Sequence, residues 1–408
     1  MFGIFLYFWR TEIKMKKLLY LTLIVCTILV SAQTFIPAYA SRVNLVSQSN
    51  INSGLQDYVS FGIKNTGSAN NTNALNWLKG KYASFGYTTA QVVEDSFSFN
   101  TTNSKNLVVT KTGTLYPNIF VLVTAHFDTI NGVGANDNGS GTNAILEIAR
   151  ILKDVPTEYS IKFIHFSGEE QGLYGSQHFV NSVVNATVPK MNIRLVFNLD
   201  QVGAMAGQTH NTIICEQDMS NNPSTNNAAS AVVTQELKNC VLLYSTLQTN
   251  TTVAPAYSSD YVPFQNNNEI ITGFYEGNGS SNPYPHTAND IIPNMDPVYL
   301  FNVTKAALGA VQHFAVASSI LSVAENGNGD QASNWTVYPN PAKDFIEIKT
   351  KDSHGKEVSF EMVDLSGKSV LRTQNLTKIN VSGLPTGVYM GKLNTEGQSS
   401  SKKIMITR

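Results

Sequence analysis

Short apolar runs recur through the middle of the chain, and most of them end directly before a polar residue. The runs at residues 120–123, 161–166 and 193–199 have the length and composition of strands that are buried on both faces of a parallel sheet. Stretches with one apolar face at helical spacing lie between them, for example after residue 137. This alternation predicts an α/β domain in which helices flank a mostly parallel central sheet.

The pattern changes towards the C-terminus. Residues 321–334 are rich in Gly, Asn and Ser, which is typical of a linker. Residues 335–408 carry short stretches of alternating hydrophobicity, such as 345–349 and 358–363, bounded by turn residues. This segment predicts a small all-β, immunoglobulin-like sandwich that is separate from the α/β domain, which we place at residues 45–320.

The first 32 residues have the organisation of a signal peptide. Two lysines directly after Met15 precede an apolar run at 18–30, and small residues follow at 31–32 as a cleavage site. The run is shorter than a membrane-spanning helix requires, so no transmembrane span is predicted for the mature chain. We place the true start at Met15 and regard residues 33–44 as a mobile leader of the exported protein.

The body of the chain is acidic. Of the 408 residues, 42% are hydrophobic and 14% are charged, which fits a globular protein of two or three domains. Residues 33–334 hold 13 Lys and Arg against 21 Asp and Glu, a net charge of −8, whereas residues 335–408 hold 11 against 7. No basic stripe is available to neutralise phosphates, which argues against a nucleic-acid partner.

Two cysteines remain once the signal peptide is removed, Cys215 and Cys240. An oxidising compartment would allow a disulfide between them. Two independent buried thiols are the alternative, and the sequence leaves both open.

Most of the candidate chemistry lies at or just after the ends of the predicted strands. The residues are His126, Asp128, Asp137, Glu169, Glu170, Asp200 and His286. In open α/β sheets, ligands bind at the carboxyl ends of the strands, so these side chains are expected to form one site. Imidazole and carboxylate are the usual zinc ligands of hydrolases, which predicts a metal-dependent hydrolase.

The number of these residues fits two zinc ions and a base. A pair of zinc ions about 3.5–4 Å apart can hold a hydroxide between them and polarise a carbonyl at the same time. One carboxylate must bridge the ions, and each ion needs His and carboxylate ligands of its own. Adjacent residues in a turn face opposite sides, so of Glu169 and Glu170 one is expected to bind metal and the other to act as general base. Asp128, two residues after His126, is placed to hold the other imidazole nitrogen.

Five motifs in this order carry a resemblance to a known family. They are Ala-His-Phe-Asp at 125–128, Gly-Ala-Asn-Asp-Asn-Gly-Ser-Gly-Thr at 134–142, Phe-Ser-Gly-Glu-Glu-Gln-Gly-Leu-Tyr-Gly-Ser at 166–176, an Asp after a strand at 200, and His-Thr at 286–287. With them, the stretch from about 45 to 320 resembles the secreted di-zinc aminopeptidases of the bacterial leucyl aminopeptidase and aminopeptidase Y type, whose relatives include the glutaminyl cyclases.

The resemblance implies a role for each ligand. Asp137 would bridge the two ions, His126 and Asp200 would complete one site, and Glu170 and His286 would complete the other. By the same resemblance Glu169 is the general base.

One loop departs from the family's pattern. Family members often carry Ser-Asp-His where this chain has Ser259-Asp260-Tyr261. That loop lies near the substrate in the family, which makes Asp260 and Tyr261 candidate substrate contacts.

The C-terminal segment carries a second resemblance. The motifs at 337–342, 364–368 and 384–389 resemble those of the type IX secretion sorting domain. The resemblance implies a gram-negative bacterium, the type IX secretion machinery as a partner, and export to the outside of the cell, either in free form or attached to the outer-membrane surface.

We therefore predict a secreted zinc aminopeptidase that uses two zinc ions per chain and removes N-terminal residues from peptides with a free N-terminus. One alternative is glutaminyl cyclisation with one zinc ion, and another is a catalytically inactive surface binding protein on the same scaffold. The complete set of ligands favours two metals and hydrolysis.

Overall fold

The computed structural model describes residues 33–208, 211–219, 223–249, 254–256, 258–277, 282–319, 335–350, 358–364, 369–374, 376–395 and 398–407. These residues form two compact units that divide after Ser319. The predicted signal peptide at 1–32 and the predicted linker at 321–334 lie outside the described residues.

The first unit contains both helices and strands. Its helices are α1 (Pro37–Val43), α2 (Gln48–Ser60), α3 (Ala69–Ser84), α4 (Gly139–Leu152), α5 (Tyr174–Phe179), α6 (Asn227–Tyr244), α7 (Val262–Asn266) and α8 (Pro297–Phe314). Its strands are β1 (Val92–Phe99), β2 (Thr102–Lys111), β3 (Tyr116–His126), β4 (Tyr159–Phe166), β5 (Asn192–Leu199), β6 (Thr212–Gln217), β7 (Gln248–Thr249), β8 (Ala254–Pro255) and β9 (Ile271–Glu276). Across the described part of the chain, no helix is both long and apolar enough to span a membrane.

The nine strands form one mixed sheet in the order β1-β2-β4-β3-β5-β9-β6-β7, with β8 beside β6. The four central strands, β4, β3, β5 and β9, are parallel. On the flanks, β2 pairs antiparallel with β4 and with β1, and β6 pairs antiparallel with β9. The predicted α/β class is confirmed, and the parallel arrangement holds for the centre of the sheet.

The central strands are buried on both faces because successive side chains point to opposite sides. Val121 and Val123 of β3 belong to a large core that also contains residues from α1, α2, α3, α4, α6 and α8. The prediction of a mobile leader at 33–44 is therefore wrong for α1, because Tyr39 and Val43 are buried in this core. Leu122 of the same strand and Val196 of β5 belong to a second core, with Phe179 of α5 and Phe264 of α7. Burial of both faces of the sheet explains the near-continuous apolar runs in the sequence.

The parallel strands bring the candidate residues to one edge of the sheet. His126 is the last residue of β3, Asp200 follows β5 directly, and Glu169 follows β4 after a two-residue turn. Asp137 lies just before α4, whose first turn is capped by Asn138, because the Asn138 side chain accepts a hydrogen bond from the Gly141 amide. The site therefore lies at the carboxyl ends of the strands, as predicted.

The second unit consists of strands. They are β10 (Trp335–Tyr338), β11 (Phe345–Thr350), β12 (Val358–Val363), β13 (Ser369–Thr373), β14 (Ile379–Asn380), β15 (Gly387–Thr395) and β16 (Gln398–Ile406). They form two antiparallel sheets, β10-β11-β14 and β13-β12-β15-β16. Both sheets contribute to one core, for example Trp335 and Ile348 from the first and Phe360 and Ile404 from the second. The predicted all-β character of this segment is confirmed.

The two cysteines are free in the structure. Cys215 lies in β6 and Cys240 in α6, and both side chains enter the large core of the first unit. Burial raises the pKa of each thiol, which keeps both of them protonated. The second of the two alternatives, independent buried thiols, is therefore the one found, and the disulfide is absent from this structure.

Candidate metal centre

Six of the predicted site residues lie together at the carboxyl edge of the sheet. In two groups the possible ligand atoms all lie within 4.8 Å of one another: His126 with Asp137 and Glu170, and His126 with Glu169 and Asp200. The sixth residue, His286, contacts the first group. Residues separated by up to 160 positions in the sequence therefore form one cluster.

Asp137 lies in the middle of the cluster. Its Oδ1 is 3.2 Å from Nε2 of His126, and its Oδ2 is 3.0 Å from Nε2 of His286. The two oxygens of one buried carboxylate therefore face two different imidazoles. A carboxylate that bridges two metal ions needs this arrangement.

The His126 side of the cluster is buried. Nε2 of His126 is 3.3 Å from Oδ1 of Asp200 and 3.9 Å from Oε2 of Glu169. Oδ2 of Asp200 accepts a 2.6 Å hydrogen bond from the Ser259 hydroxyl, which itself accepts one from the Asn198 side chain. These contacts leave Oδ1 of Asp200 directed at the imidazole.

The His286 side is open to solvent. Nε2 of His286 is 2.9 Å from Oε2 of Glu170, and the imidazole side chain is 51% exposed, against 1% for His126. His286 lies in the loop before the 3₁₀ turn Ile292–Asn294 and has a φ of 58°, in the left-handed region. A non-glycine residue is uncommon there, so the surrounding contacts must hold this backbone in place.

The carboxylate of Asp128 was predicted to hold the His126 imidazole, but its main hydrogen bonds are with other groups. Its carboxylate accepts hydrogen bonds from the backbone amides of Glu169 and Glu170, both at 3.3 Å, and from the Thr66 hydroxyl at 3.0 Å. Nδ1 of His126 is 3.2 Å from the Asp128 backbone carbonyl oxygen and 3.7 Å from its carboxylate. The carboxylate thus positions the Glu169-Glu170 turn, while the backbone carbonyl faces the imidazole.

The cluster carries more negative charge than its imidazoles can balance. Burial raises the pKa of Glu169 well above its usual range and that of Glu170 to about 7. Burial alone would lower the pKa of His126, but the nearby carboxylates of Asp200 and Glu169 outweigh it and raise that pKa well above normal. Among the described residues, no lysine or arginine forms an ion pair with these carboxylates. The missing positive charge is what bound cations would supply.

Buried polar atoms of the cluster that lack a hydrogen bond also indicate a metal site. Nε2 of His126, Oε1 of Glu170 and Oδ1 of Asp200 are buried without a hydrogen bond of good geometry. Leaving such groups unsatisfied is costly, and each of them is an ordinary zinc-binding atom. The donor set therefore fits divalent zinc.

Asp260 and Tyr261 lie behind the site. Both side chains are fully buried, and the Tyr261 hydroxyl donates a 2.7 Å hydrogen bond to Glu216. Burial raises the pKa of Asp260 to about 7 and that of Glu216 to about 8. Asp260 interacts electrostatically with His126 and Glu169, and the role of Asp260 and Tyr261 as substrate contacts stays a prediction.

Three supporting residues were not identified from the sequence. Gln201 donates a 3.1 Å hydrogen bond from Nε2 to Oδ2 of Asp137. The carboxylate of Asp290 accepts the backbone amides of Asn136 and Asp137. Lys64 is fully buried behind the site. None of these residues has a motif of its own, since each acts through a partner that is distant in the sequence.

Lys64 supports the segment that leads to Asp137. Its Nζ donates to the carbonyl oxygens of Gly62 at 2.9 Å and of Val133 at 2.8 Å. Its ammonium also lies 3.8 Å from the centre of the Tyr58 ring. Burial lowers the pKa of Lys64 to about 7.

Two family models match the chain. Residues 106–311, about half of the chain, match the family described as peptidase family M28. Residues 336–407 match the secretion system C-terminal sorting domain, which confirms the predicted sorting domain and indicates a secreted protein.

Relatives of known sequence and structure agree with the first match. The chain is 32% identical over 207 residues to Aminopeptidase YwaD of Bacillus subtilis, covering 48% of this chain and 42% of that protein. It is 32% identical over 193 residues to a Probable zinc metalloprotease of Pyrenophora teres, covering 41% and 39%. The chain spans about two fifths of the length of these curated relatives.

A solved structure has the same fold. The LapA aminopeptidase of Legionella pneumophila superimposes with a TM-score of 0.60 at 20% identity, covering 69% of this chain and 75% of that chain. The family match runs from β2 to α8 and includes every residue of the cluster. The chain belongs to peptidase family M28.

Proposed function

We propose that this protein is a secreted aminopeptidase that binds two zinc ions and hydrolyses the first peptide bond of peptides with a free N-terminus. The observation that carries the proposal is the position of Asp137, whose two carboxylate oxygens face two imidazoles 3.2 and 3.0 Å away. The similarity to an aminopeptidase and to a probable zinc metalloprotease supports both the metal and the reaction.

Five residues would hold the ions. His126 and Asp200 would bind one ion, Glu170 and His286 the other, and Asp137 would bind both. Zinc supplies Lewis acidity, which polarises a carbonyl and makes a water molecule more acidic. The negative charge of the cluster and its orphaned donor atoms support two divalent ions rather than one.

Glu169 is proposed as the general base. Its side chain is 16% exposed and lies beside the buried His126 side of the cluster, so it can reach both solvent and a substrate bound there. Burial raises its pKa, which makes its carboxylate a better proton acceptor than an exposed glutamate. Glu169 would take a proton from the attacking water and deliver it to the nitrogen of the leaving amine. The Asp128 carboxylate fixes this geometry, because it binds the Glu169 amide.

The acidic character of the site supports a substrate with a free α-amine. An N-terminal ammonium would meet the carboxylates that the ions leave exposed, and the unit around the site has a marked excess of acidic residues. A terminal carboxylate would instead be repelled. This charge pattern favours an aminopeptidase over a carboxypeptidase.

The C-terminal unit is proposed to serve export and not catalysis. Every proposed ligand lies before residue 290, and the sorting-domain match begins at residue 336. A chain that ends near residue 322 should keep its peptidase activity but accumulate in the periplasm of its own host. Release of the active truncated chain to the medium would contradict the sorting role, and an inactive but folded truncated chain would place the second unit in the catalytic machinery.

The first test concerns the metal. Purified protein should contain two zinc ions per chain, lose its activity on an aminoacyl-p-nitroanilide after chelation, and regain it with added zinc. A stoichiometry of one ion, together with cyclisation of N-terminal glutaminyl peptides, would support the glutaminyl cyclase alternative instead. Zinc binding without activity on any substrate would support the inactive binding protein.

The second test concerns the α-amine. N-acetylation of a good peptide substrate should prevent cleavage, because the amine is part of recognition. Equal cleavage of the free and acetylated peptides would show that the protein is an endopeptidase or acts on another class of substrate.

A further inference from the structure

Asp290 binds three consecutive backbone amides of the segment that carries Asp137. Oδ1 of Asp290 accepts the Asn136 amide at 2.7 Å, and Oδ2 accepts the Asp137 amide at 2.9 Å. The backbone carbonyl of the same residue accepts the Ala135 amide at 3.1 Å. Asp290 is buried, so these hydrogen bonds are shielded from water.

Asp290 also belongs to the loop that carries His286. A turn joins the two residues, because the Asp290 amide donates to the Thr287 carbonyl at 3.1 Å. The loop packs closely against the segment before Asp137, since a Cβ atom at Gly132 would collide with the carbonyl oxygen of Thr287. The bridging carboxylate and the exposed imidazole are therefore held together through one residue.

The His286 imidazole needs such support. His126 ends a central strand, and its carbonyl oxygen accepts a 2.8 Å hydrogen bond from Thr142 of α4. His286 lies in a loop, with a left-handed backbone and a half-exposed side chain. Among the described residues, its imidazole forms ion-pair contacts with Asp137 and Glu170.

We propose that Asp290 is a positioning residue that sets the zinc affinity of the His286 side of the site. The inference rests on the proposed binding of two ions. Both carboxylate oxygens of Asp290 accept backbone amides, so the residue would act through Asp137 and not as a ligand itself. It holds the backbone of Asp137 at a fixed distance from the loop of His286, so that the ligands of one ion are already in place before the ion arrives. Partners of this kind typically change metal affinity by about 10–100-fold when they are removed.

The two acceptor oxygens of a carboxylate are essential to this role. Asn in place of Asp290 has the same shape but only one acceptor, and its NH₂ group would face one of the two amide hydrogens. Asp290→Asn should therefore release one of the two amides while it preserves side-chain volume. The change is small enough to leave the core of the unit intact.

The test is zinc titration of chelator-treated, full-length protein. The wild type should bind two ions tightly. Asp290→Asn should bind one ion as tightly as the wild type and the other about 10–100-fold more weakly. Its kcat should be low at limiting zinc and should recover in excess zinc. A purely structural defect would not be reversed by zinc.

Asp296→Asn is the matched control. Oδ1 of Asp296 also accepts two consecutive amides, those of Val298 at 2.9 Å and Tyr299 at 3.0 Å, at the start of α8. The same chemical change there should leave both zinc affinities unchanged. Weakening of an ion by both variants would overturn the specific role of Asp290.

A double mutant assigns the affected ion. In a His286→Ala background, where the ion of the His286 side is already bound more weakly, Asp290→Asn should change the affinity of the ion of the His126 side by less than about 3-fold, because the proposed role of Asp290 is confined to the other ion. If binding of the ion of the His126 side were weakened equally in this double mutant, the proposal would be overturned. Tight binding of two ions by Asp290→Asn would also overturn it. If Asp290→Asn does not fold, Asp290→Glu replaces it, with a smaller loss confined to the same ion. A wild type that binds a single ion would instead refute the proposed two-ion function.

Discussion

The two sides of the site differ in how their ligands are held. On one side, His126 and Asp200 end adjacent parallel strands, and strand pairing fixes the distance between them. On the other side, Glu170 lies in a turn and His286 in a loop, and neither is part of a strand or helix. The first pair is buried, while the His286 imidazole is half exposed.

On the second side, buried polar contacts at the loop take the place of strand pairing. Besides Asp290, the carboxylate of Glu276 at the end of β9 accepts the side-chain amides of Asn136 at 3.0 Å and Asn282 at 2.8 Å. These contacts connect the loop of His286 to the sheet. Preorganisation therefore comes from backbone pairing on the buried side and from side-chain carboxylates on the exposed side.

The largest effect is expected from the two adjacent glutamates, which belong to different sides. Glu169→Gln should keep both zinc ions and lose about 10²–10⁴-fold in kcat, because the proton acceptor is gone. Glu170→Gln should lose affinity for the ion of the His286 side, and excess zinc should restore part of its activity. Metal analysis and steady-state kinetics on both variants measure the difference.

These variants can refute the assignment of roles. Full activity in Glu169→Gln would remove Glu169 from the mechanism. Zinc loss in Glu169→Gln, with both ions retained in Glu170→Gln, would exchange the two roles.

The second-largest effect is expected from removal of either imidazole, and the two variants should differ in their response to added imidazole. His126→Ala should lose zinc affinity that added imidazole cannot restore, because the vacated space is almost fully enclosed. His286→Ala should weaken binding of the ion of its side by more than the 10–100-fold typical of a supporting residue, because a ligand itself is lost. Millimolar imidazole should recover part of its activity, since this position is open to solvent. If added imidazole restored the activity of both variants, or of neither, the two sides would not differ in their access to solvent.

The sequence located the candidate ligands better than the residues that support them. His126 ends a strand, Asp200 directly follows one, and Asp137 lies two residues before a helix. All three could be found because the hydrophobic patterns of these elements are clear. The role of Asp290 could not be found, since it binds amides 153 and 154 residues away. Two further interactions also depend on the tertiary fold: the carboxylate of Asp128 binds the amide of Glu169, and the hydroxyl of Tyr261 binds Glu216.

The smallest effect is expected from Lys64, which supports the segment before Asp137, and it concerns the stability of the protein. Its pKa is about 7 in the folded protein, below the ordinary value of 10.5, because burial disfavours the ammonium. Between these two values the unfolded chain binds more protons than the folded one, so the contribution of Lys64 to stability rises with pH and is lowest below pH 7. The stability of the chelator-treated wild type relative to Lys64→Met should therefore increase from pH 7 to pH 10. One pKa unit corresponds to about 1.4 kcal/mol, so the increase amounts to a few kcal/mol at most.

Lys111→Met is the matched control for this measurement. Lys111 is also buried, its pKa is lowered to about 8, and it contacts Thr157 rather than the site. Its stability difference should have the same sign but begin to rise about one pH unit later. Thermal unfolding of the three proteins between pH 6 and pH 10 compares the curves. A difference between wild type and Lys64→Met that does not change with pH would mean that Lys64 keeps its ordinary pKa, and the buried support behind the two sides would then carry a full charge at neutral pH.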